Sequence, residues 1–243
     1  MTIAIWDYGI GGAGLYKLLR TATRADIVYF SDAGFTPYGK VSKVDLENRA
    51  SVVINFLTQQ GISHIAVACN AASTAISGNK NITGIIEHGI NMILKLNPAE
   101  ICVVGGKRTI ESGMYKEAFE KQGIKTRQYV AQQLSIRIEA GDVDSPEMDK
   151  DILEIFEPLK ASKYILLACT HYPAIADRIR HVAKDAMLID PADEMKNWIV
   201  GNWQPLQGNG SVTWLTTGHA EQMKYAAHRA FDIEINNVKK LVL

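Results

Sequence analysis

His64-Ile65-Ala66-Val67-Ala68-Cys69-Asn70 and Tyr164-Ile165-Leu166-Leu167-Ala168-Cys169-Thr170 are the stretches on which the fold turns. Each is a short apolar run that ends in a cysteine and opens onto small and polar residues. A run of this length, bounded this way, reads as a buried strand. The two cysteines lie 100 residues apart, and Ile3 and Ile101, which open the first strand-like run of each half, lie 98 apart. Gly14-Leu15-Tyr16-Lys17 is echoed by Ser112-Gly113-Met114-Tyr115-Lys116. Such a period is too long for a solenoid unit. It marks two related halves, with a boundary near Leu96-Asn97-Pro98-Ala99.

The pattern extends outward from the cysteines. Ile3–Trp6, Ile27–Phe30, Ile65–Ala68 and Ile82–Ile86 read as strands of the first half. Ile101–Val104, Thr126–Val130, Tyr164–Leu167 and Met187–Ile189 read as strands of the second. Gly14–Thr21 and Ser42–Gln60 carry helical periodicity, with Ser42 as an N-cap and Gly61 as the stop. A short helix, Ala71–Ser77, is expected after Cys69. Strand–helix alternation implies βαβ units and mostly parallel sheets, an α/β fold. Beyond Ile189 the rhythm breaks: Gln204–Ser211 reads as a loop, Ser211–Thr216 as a strand, Ala220–Phe231 as a helix and Val238–Leu243 as a last strand or docked end.

Bulk properties narrow the function. The 243 residues carry no net charge, which gives no support to a nucleic-acid or membrane-surface partner. Three cysteines without Cys-x-x-Cys spacing argue against a disulfide framework or a closed zinc site. No apolar run approaches the roughly 20 residues of a membrane span. No basic stretch leads into a long apolar segment, so no secretory signal is expected and a cytoplasmic setting is.

Three features carry chemistry. Gly9-Ile10-Gly11-Gly12-Ala13-Gly14 matches G-x-G-x-x-G between a strand and a helix, with Asp32 near the end of the next strand. That is the fingerprint of an NAD-dependent oxidoreductase, although Asp7 at the strand end would crowd a pyrophosphate. The bland reading is that the glycines allow a tight turn and close packing. Cys69 follows a strand and precedes a helix, where ligands bind in open α/β sheets and where free N–H groups favour a thiolate or a bound carboxylate. Cys169 has His171 two residues on, an imidazole able to carry its proton. Cys102, inside an apolar strand, reads as structural. One thiol per half suits an enzyme that takes a proton from one face of a carbon and returns it to the other.

Asp7-Tyr8-Gly9-Ile10-Gly11-Gly12, Pro37-Tyr38-Gly39, Cys69-Asn70-Ala71-Ala72-Ser73 and Cys169-Thr170-His171-Tyr172-Pro173 together resemble glutamate racemase, of the aspartate/glutamate racemase superfamily. Arg137-Ile138-Glu139-Ala140-Gly141 and Leu215-Thr216-Thr217-Gly218 are weaker echoes. The resemblance implies two pseudo-symmetric three-layer α/β halves with the active site in the cleft between them. Residues 1–96 and 207–243 would form the first half, the C-terminal segment returning to it, and 97–206 the second. It implies Cys69 and Cys169 as catalytic thiols, Asp7 assisting the first, and His171 with Glu139 assisting the second. Tyr8, Pro37, Tyr38, Gly39, Asn70, Ala71 and Thr170 would surround a small acidic amino acid. Tyr8 and Ala71 stand where the family usually has hydroxyls of serine and threonine. No cofactor and no metal are implied, and a homodimer is compatible with the resemblance. On glutamate, the product would supply D-glutamate for peptidoglycan in the cell wall. The alternatives are an aspartate racemase or another superfamily isomerase or decarboxylase, a silent binder of acidic metabolites, and the oxidoreductase.

Overall fold

The computed structural model describes all of residues 1–243. The first half runs β1 (Thr2–Asp7), α1 (Ala13–Ala22), β2 (Asp26–Ser31), α2 (Lys43–Gln59), β3 (His64–Val67), α3 (Asn70–Ser73), β4 (Ile82–Gly84) and α4 (Ile85–Leu96). The second runs β5 (Glu100–Gly105), α5 (Lys107–Glu111), α6 (Met114–Glu120), β6 (Lys125–Val130), α7 (Gln132–Glu139), α8 (Pro146–Phe156), β7 (Tyr164–Ala168), α9 (Ala176–Val182), β8 (Met187–Ile189) and α10 (Ala192–Asn202). The chain closes with β9 (Val212–Thr216), α11 (Ala220–Phe231) and β10 (Val238–Lys240).

The strands form two separate sheets, ordered β10-β9-β2-β1-β3-β4 and β6-β5-β7-β8, and every pairing is parallel. The order β2-β1-β3-β4 is repeated as β6-β5-β7-β8, which is the duplication seen in the cysteine spacing. β9 pairs with β2, so the C-terminal strands extend the first sheet.

Parallel sheets are covered on both faces, so their strands are apolar throughout. Ile3, Ala4, Ile5 and Trp6 are all fully buried. Ile3 and Ile5 join the cluster under α1, α10 and α11, whereas Ala4 and Trp6 join the one under α2. That alternation is the period of two of a strand. The two isoleucines each contribute about 1.5–3 kcal/mol by leaving water. In the second sheet, Cys102 and Val104 face α7, α8 and α9, while Ile101 and Val103 face α4 and α6. No helix is long and apolar enough to cross a membrane.

Ser42 caps α2 by accepting from the Asp45 N–H at 3.1 Å, and Gly61 takes the left-handed conformation that ends it, φ 78°. Two expected boundaries move. The strand expected over Ile82–Ile86 stops at Gly84, and Ile85 and Ile86 begin α4, whose apolar stripe they share with Ile93. The helix expected over Ala71–Ser77 is one turn, Asn70–Ser73. Ser73 Oγ donates to the Cys69 carbonyl at 2.9 Å and Thr74 Oγ1 to the Ala71 carbonyl at 2.7 Å, hydroxyls competing for helix acceptors. Cys102 is buried as expected but does meet a polar atom, Ser162 Oγ at 3.2 Å.

Candidate active site

In each sheet the chain leaves the central strand to one side and returns on the other. β1 leads to β2 and back to β3; β5 leads to β6 and back to β7. The carboxyl ends on either side of such a reversal leave a crevice, the place where ligands bind in open α/β sheets. Asp7 ends β1 and Cys69 lies two residues beyond β3. Gly105 ends β5 and Cys169 follows β7 directly. The two crevices share one cavity of about 210 Å³. This is smaller than the ~300–1,000 Å³ of drug-sized pockets.

All twelve residues expected at the site border that cavity. From the first half come Asp7 and Tyr8, then Pro37, Tyr38 and Gly39, then Cys69, Asn70 and Ala71. From the second come Glu139, Cys169, Thr170 and His171. Sequence reasoning missed Arg108 and Thr109 on α5, and Gln132, Ser135 and Ile136 on α7. The signal for the α5 pair was the duplication itself. Gly105 ends β5 as Asp7 ends β1, and Arg108 and Thr109 lie just beyond that strand end.

The two thiols have different surroundings. Cys69 caps α3 and is 7% exposed. Burial pushes its pKa well above the ordinary value, and the Asp7 carboxylate adds to this, against backbone N–H groups of Ala72 and Tyr8. Cys69 is therefore held as the neutral thiol. Cys169 Sγ lies 3.7 Å from His171 Nδ1, and His171 Nε2 lies 2.7 Å from Glu139 Oε2. Burial opposes a charged imidazole, but Cys169 and Glu139 outweigh it and raise the His171 pKa well above its usual value. All three cysteines are free thiols.

Asp7 is 1% exposed; its Oδ1 accepts from the Gly9 N–H at 3.2 Å and its Oδ2 has no partner. Burial raises its pKa from an ordinary 3.8 to about 6, with the nearby His171 charge pulling the other way. The folded state thus holds this proton more tightly than the unfolded chain. The stability it contributes is full below about pH 3.8 and is lost as pH rises through about 6, about 3 kcal/mol in all. Asp7→Asn is accordingly expected to melt higher than the parent at pH 8 and to show no such gain at pH 3.5. Thermal melts at the two pH values check this, and an equal difference at both would contradict it.

The glycine-rich turn serves the protein, not a nucleotide. The Ile10 N–H donates to Glu139 Oε2 at 2.8 Å, so the turn docks on the second half. A Cβ on Gly9 would collide with the Glu139 carboxylate, and one on Gly11 with both the Thr170 hydroxyl and His171 Nδ1. Asp32, the acidic residue of the supposed fingerprint, has no exposure and is fully engaged. It accepts from Arg49 Nε at 2.8 Å and Nη2 at 2.6 Å, from Tyr38 Oη at 2.6 Å and from Thr217 Oγ1 at 3.0 Å. No lone pair is left for a ribose, and the oxidoreductase reading is set aside.

The same bonds limit Tyr38. Its hydroxyl donates to Asp32 and accepts from Trp6 Nε1 at 3.2 Å, so it offers the cavity its ring rather than its oxygen. Tyr8 leans on it, ring centroids 5.1 Å apart. Asn70 is 3% exposed; its Oδ1 accepts from Tyr115 Oη at 2.8 Å, while its Nδ2 has no partner. The amide is thus oriented by α6 with a free donor.

A duplicated α/β protein with one free thiol of each half on a shared cavity is the class that fold and site define. Residues 11–195 match the family described as Asp/Glu/Hydantoin racemase, and the chain belongs to that family. It is 30% identical over 206 residues to a glutamate racemase of Koribacter versatilis, covering 79% of this chain and 70% of that one. It is 29% identical over 259 residues to a glutamate racemase of Hydrogenobaculum, covering 100% and 99%. Among solved structures, the glutamate racemase of Aquifex pyrophilus superposes with a TM-score of 0.80 at 26% identity, covering 98% of each chain. A Bacillus anthracis glutamate racemase isoform shares the fold, TM-score 0.88 at 24% identity, covering 100% and 97%.

Proposed function

We propose that this protein is a cofactor-independent racemase that interconverts the enantiomers of an acidic amino acid, glutamate or its shorter homologue aspartate, by proton transfer between two cysteines. The observation that carries the reading is that Cys69 and Cys169, one from each half, border a single small cavity. The family and its glutamate racemase members support it.

The step requires one thiolate and one thiol. In one direction the Cys169 thiolate takes the α-proton: the Cα–H bond breaks and an S–H bond forms. The pair of electrons left on carbon is then protonated by the Cys69 thiol from the opposite face. The enzyme ends with the sulfurs exchanged in state, and the reverse direction uses the opposite assignment. Cys69, neutral at rest, is suited to the donor role. His171, charged and beside Cys169, stabilises negative charge that develops on that sulfur. Glu139 orients the imidazole and Asp7 serves Cys69. The carbanion needs preorganised donors. Asn70 Nδ2 and the Thr170 hydroxyl are placed to serve a substrate carboxylate. Tyr8, Pro37, Tyr38, Gly39 and Ala71 shape the wall. Tyr8 takes room from the cavity, which is what brings aspartate in beside glutamate.

The test is optical. Single enantiomers of glutamate and aspartate are incubated with the purified protein, with EDTA present and no pyridoxal phosphate added, and followed by circular dichroism. The signal of at least one acid is expected to decay to zero from both enantiomers. An unchanged signal with all four would overturn the reading.

A further inference from the structure

Two of the cavity's charged side chains, Asp7 and Glu139, are acids, and the thiolate of the working pair adds a further negative charge. An anionic substrate entering there needs a positive partner. His171 is already held between Glu139 and Cys169. The remaining cation on the cavity wall is Arg108.

Three arginines, Arg20, Arg24 and Arg108, stand outside the ion pairs, and of these Arg108 is the one that borders this cavity. Arg49, Arg127, Arg137, Arg178, Arg180 and Arg229 each form an ion pair with an aspartate or glutamate. Arg108 forms none. Its one hydrogen bond runs from Nη2 to the carbonyl of Val41 on the opposite half. Its Nε is buried with no partner. A buried N–H of a guanidinium without an acceptor is costly to leave so, and the planar fork is built for a carboxylate. The position also fits. Val41 directly follows the Pro37–Lys40 turn, so Arg108 stands where that turn meets α5. The donors suited to a carboxylate at the reacting carbon, Asn70 and Thr170, each adjoin a thiol in sequence and come from other loops.

We propose that Arg108 is the specificity-determining residue of this cavity, pairing with the substrate's second carboxylate, so that amino acids with two carboxylates are selected over their monoamides. The proposal rests on the racemase reading for the substrate being an amino acid, and its test separates the two. Racemisation of glutamate and aspartate is compared with that of glutamine and asparagine, for the parent and for Arg108→Met. Binding of glutarate, a dicarboxylate with no α-amino group to turn over, is measured by calorimetry on the same proteins.

The parent is expected to prefer the diacids and to bind glutarate. Arg108→Met is expected to lower kcat/KM for the diacid about 10- to 150-fold, the worth of a hydrogen bond to a charged group, through KM more than kcat. The monoamides should change little, and glutarate should weaken by a similar factor. A residue that merely clasped Val41 would lower diacid and monoamide alike. Arg108→Lys keeps the charge without the fork and should retain part of the preference; it carries the test if Arg108→Met fails to fold. Racemisation with an unchanged diacid preference overturns the role of Arg108 and leaves the racemase standing. No racemisation, with glutarate bound by the parent and lost in the variant, does the opposite. A parent that does not bind glutarate, or a variant that binds it equally, overturns the role of Arg108.

Discussion

Cys69→Ala and Cys169→Ala are each expected to lower racemisation by about 10²–10⁴-fold or more, the range that a positioned acid or base supplies. Either loss alone is enough, because each enantiomer needs one sulfur to receive a proton and the other to give one. The fold should survive both changes. Cys69 packs with Trp6, Val67 and Ala72 in the cluster beneath α2, and losing its sulfur leaves a small void at the cavity edge. Cys169 is partly exposed on the wall itself. A circular dichroism melt within a few degrees of the parent, alongside the missing activity, is the expected pair of results. A variant of either cysteine that racemises at the parental rate would contradict the division of labour between the two halves.

Arg49→Met is expected to cost about 3–5 kcal/mol of stability, because it leaves a buried carboxylate without its cation. Asp32 has no exposure and Arg49 is 8% exposed, so the pair is largely shielded from water. The loss extends to the site. Asp32 also holds the Tyr38 hydroxyl, and Tyr38 lies in the Pro37–Gly39 wall of the cavity. Urea unfolding measures the stability, and the double variant Arg49→Met, Asp32→Leu should recover much of it, since an apolar pair often replaces a buried ion pair without loss. A single variant within 1 kcal/mol of the parent would show that the pair does not hold this corner together.

The strands were legible because parallel strands buried on both faces are continuous apolar runs, and β1, β5 and β7 show this plainly. The site was legible because each thiol sits at a strand's carboxyl end and the two ends recur at one spacing. What could not be read was what each residue meets. The glycines between Gly9 and Gly14 announce a close approach, but a phosphate and the Glu139 carboxylate ask the same of a backbone. Only the docking of α7 on the Ile10 N–H distinguishes them. Asp32 reads as a ribose ligand until Arg49, on α2, is seen to occupy it. Ile85 and Ile86 extend an apolar run from strand into helix without any change that periodicity detects. Arg108 follows a strand end whose counterpart in the first half carries an acid, so the duplication marked the place but not the charge.

The most direct measurement is the fate of the α-proton. L- and D-glutamate and L- and D-aspartate are each incubated with the protein in deuterated water, and the α-position is followed by proton NMR together with the sign of the optical signal. Two sulfurs on opposite faces should deliver a solvent-derived deuteron to the α-carbon of the inverted product, from either enantiomer of the acid turned over. No deuterium at the α-carbon of any of the four, or inversion that retains the original proton throughout, would contradict transfer between Cys69 and Cys169.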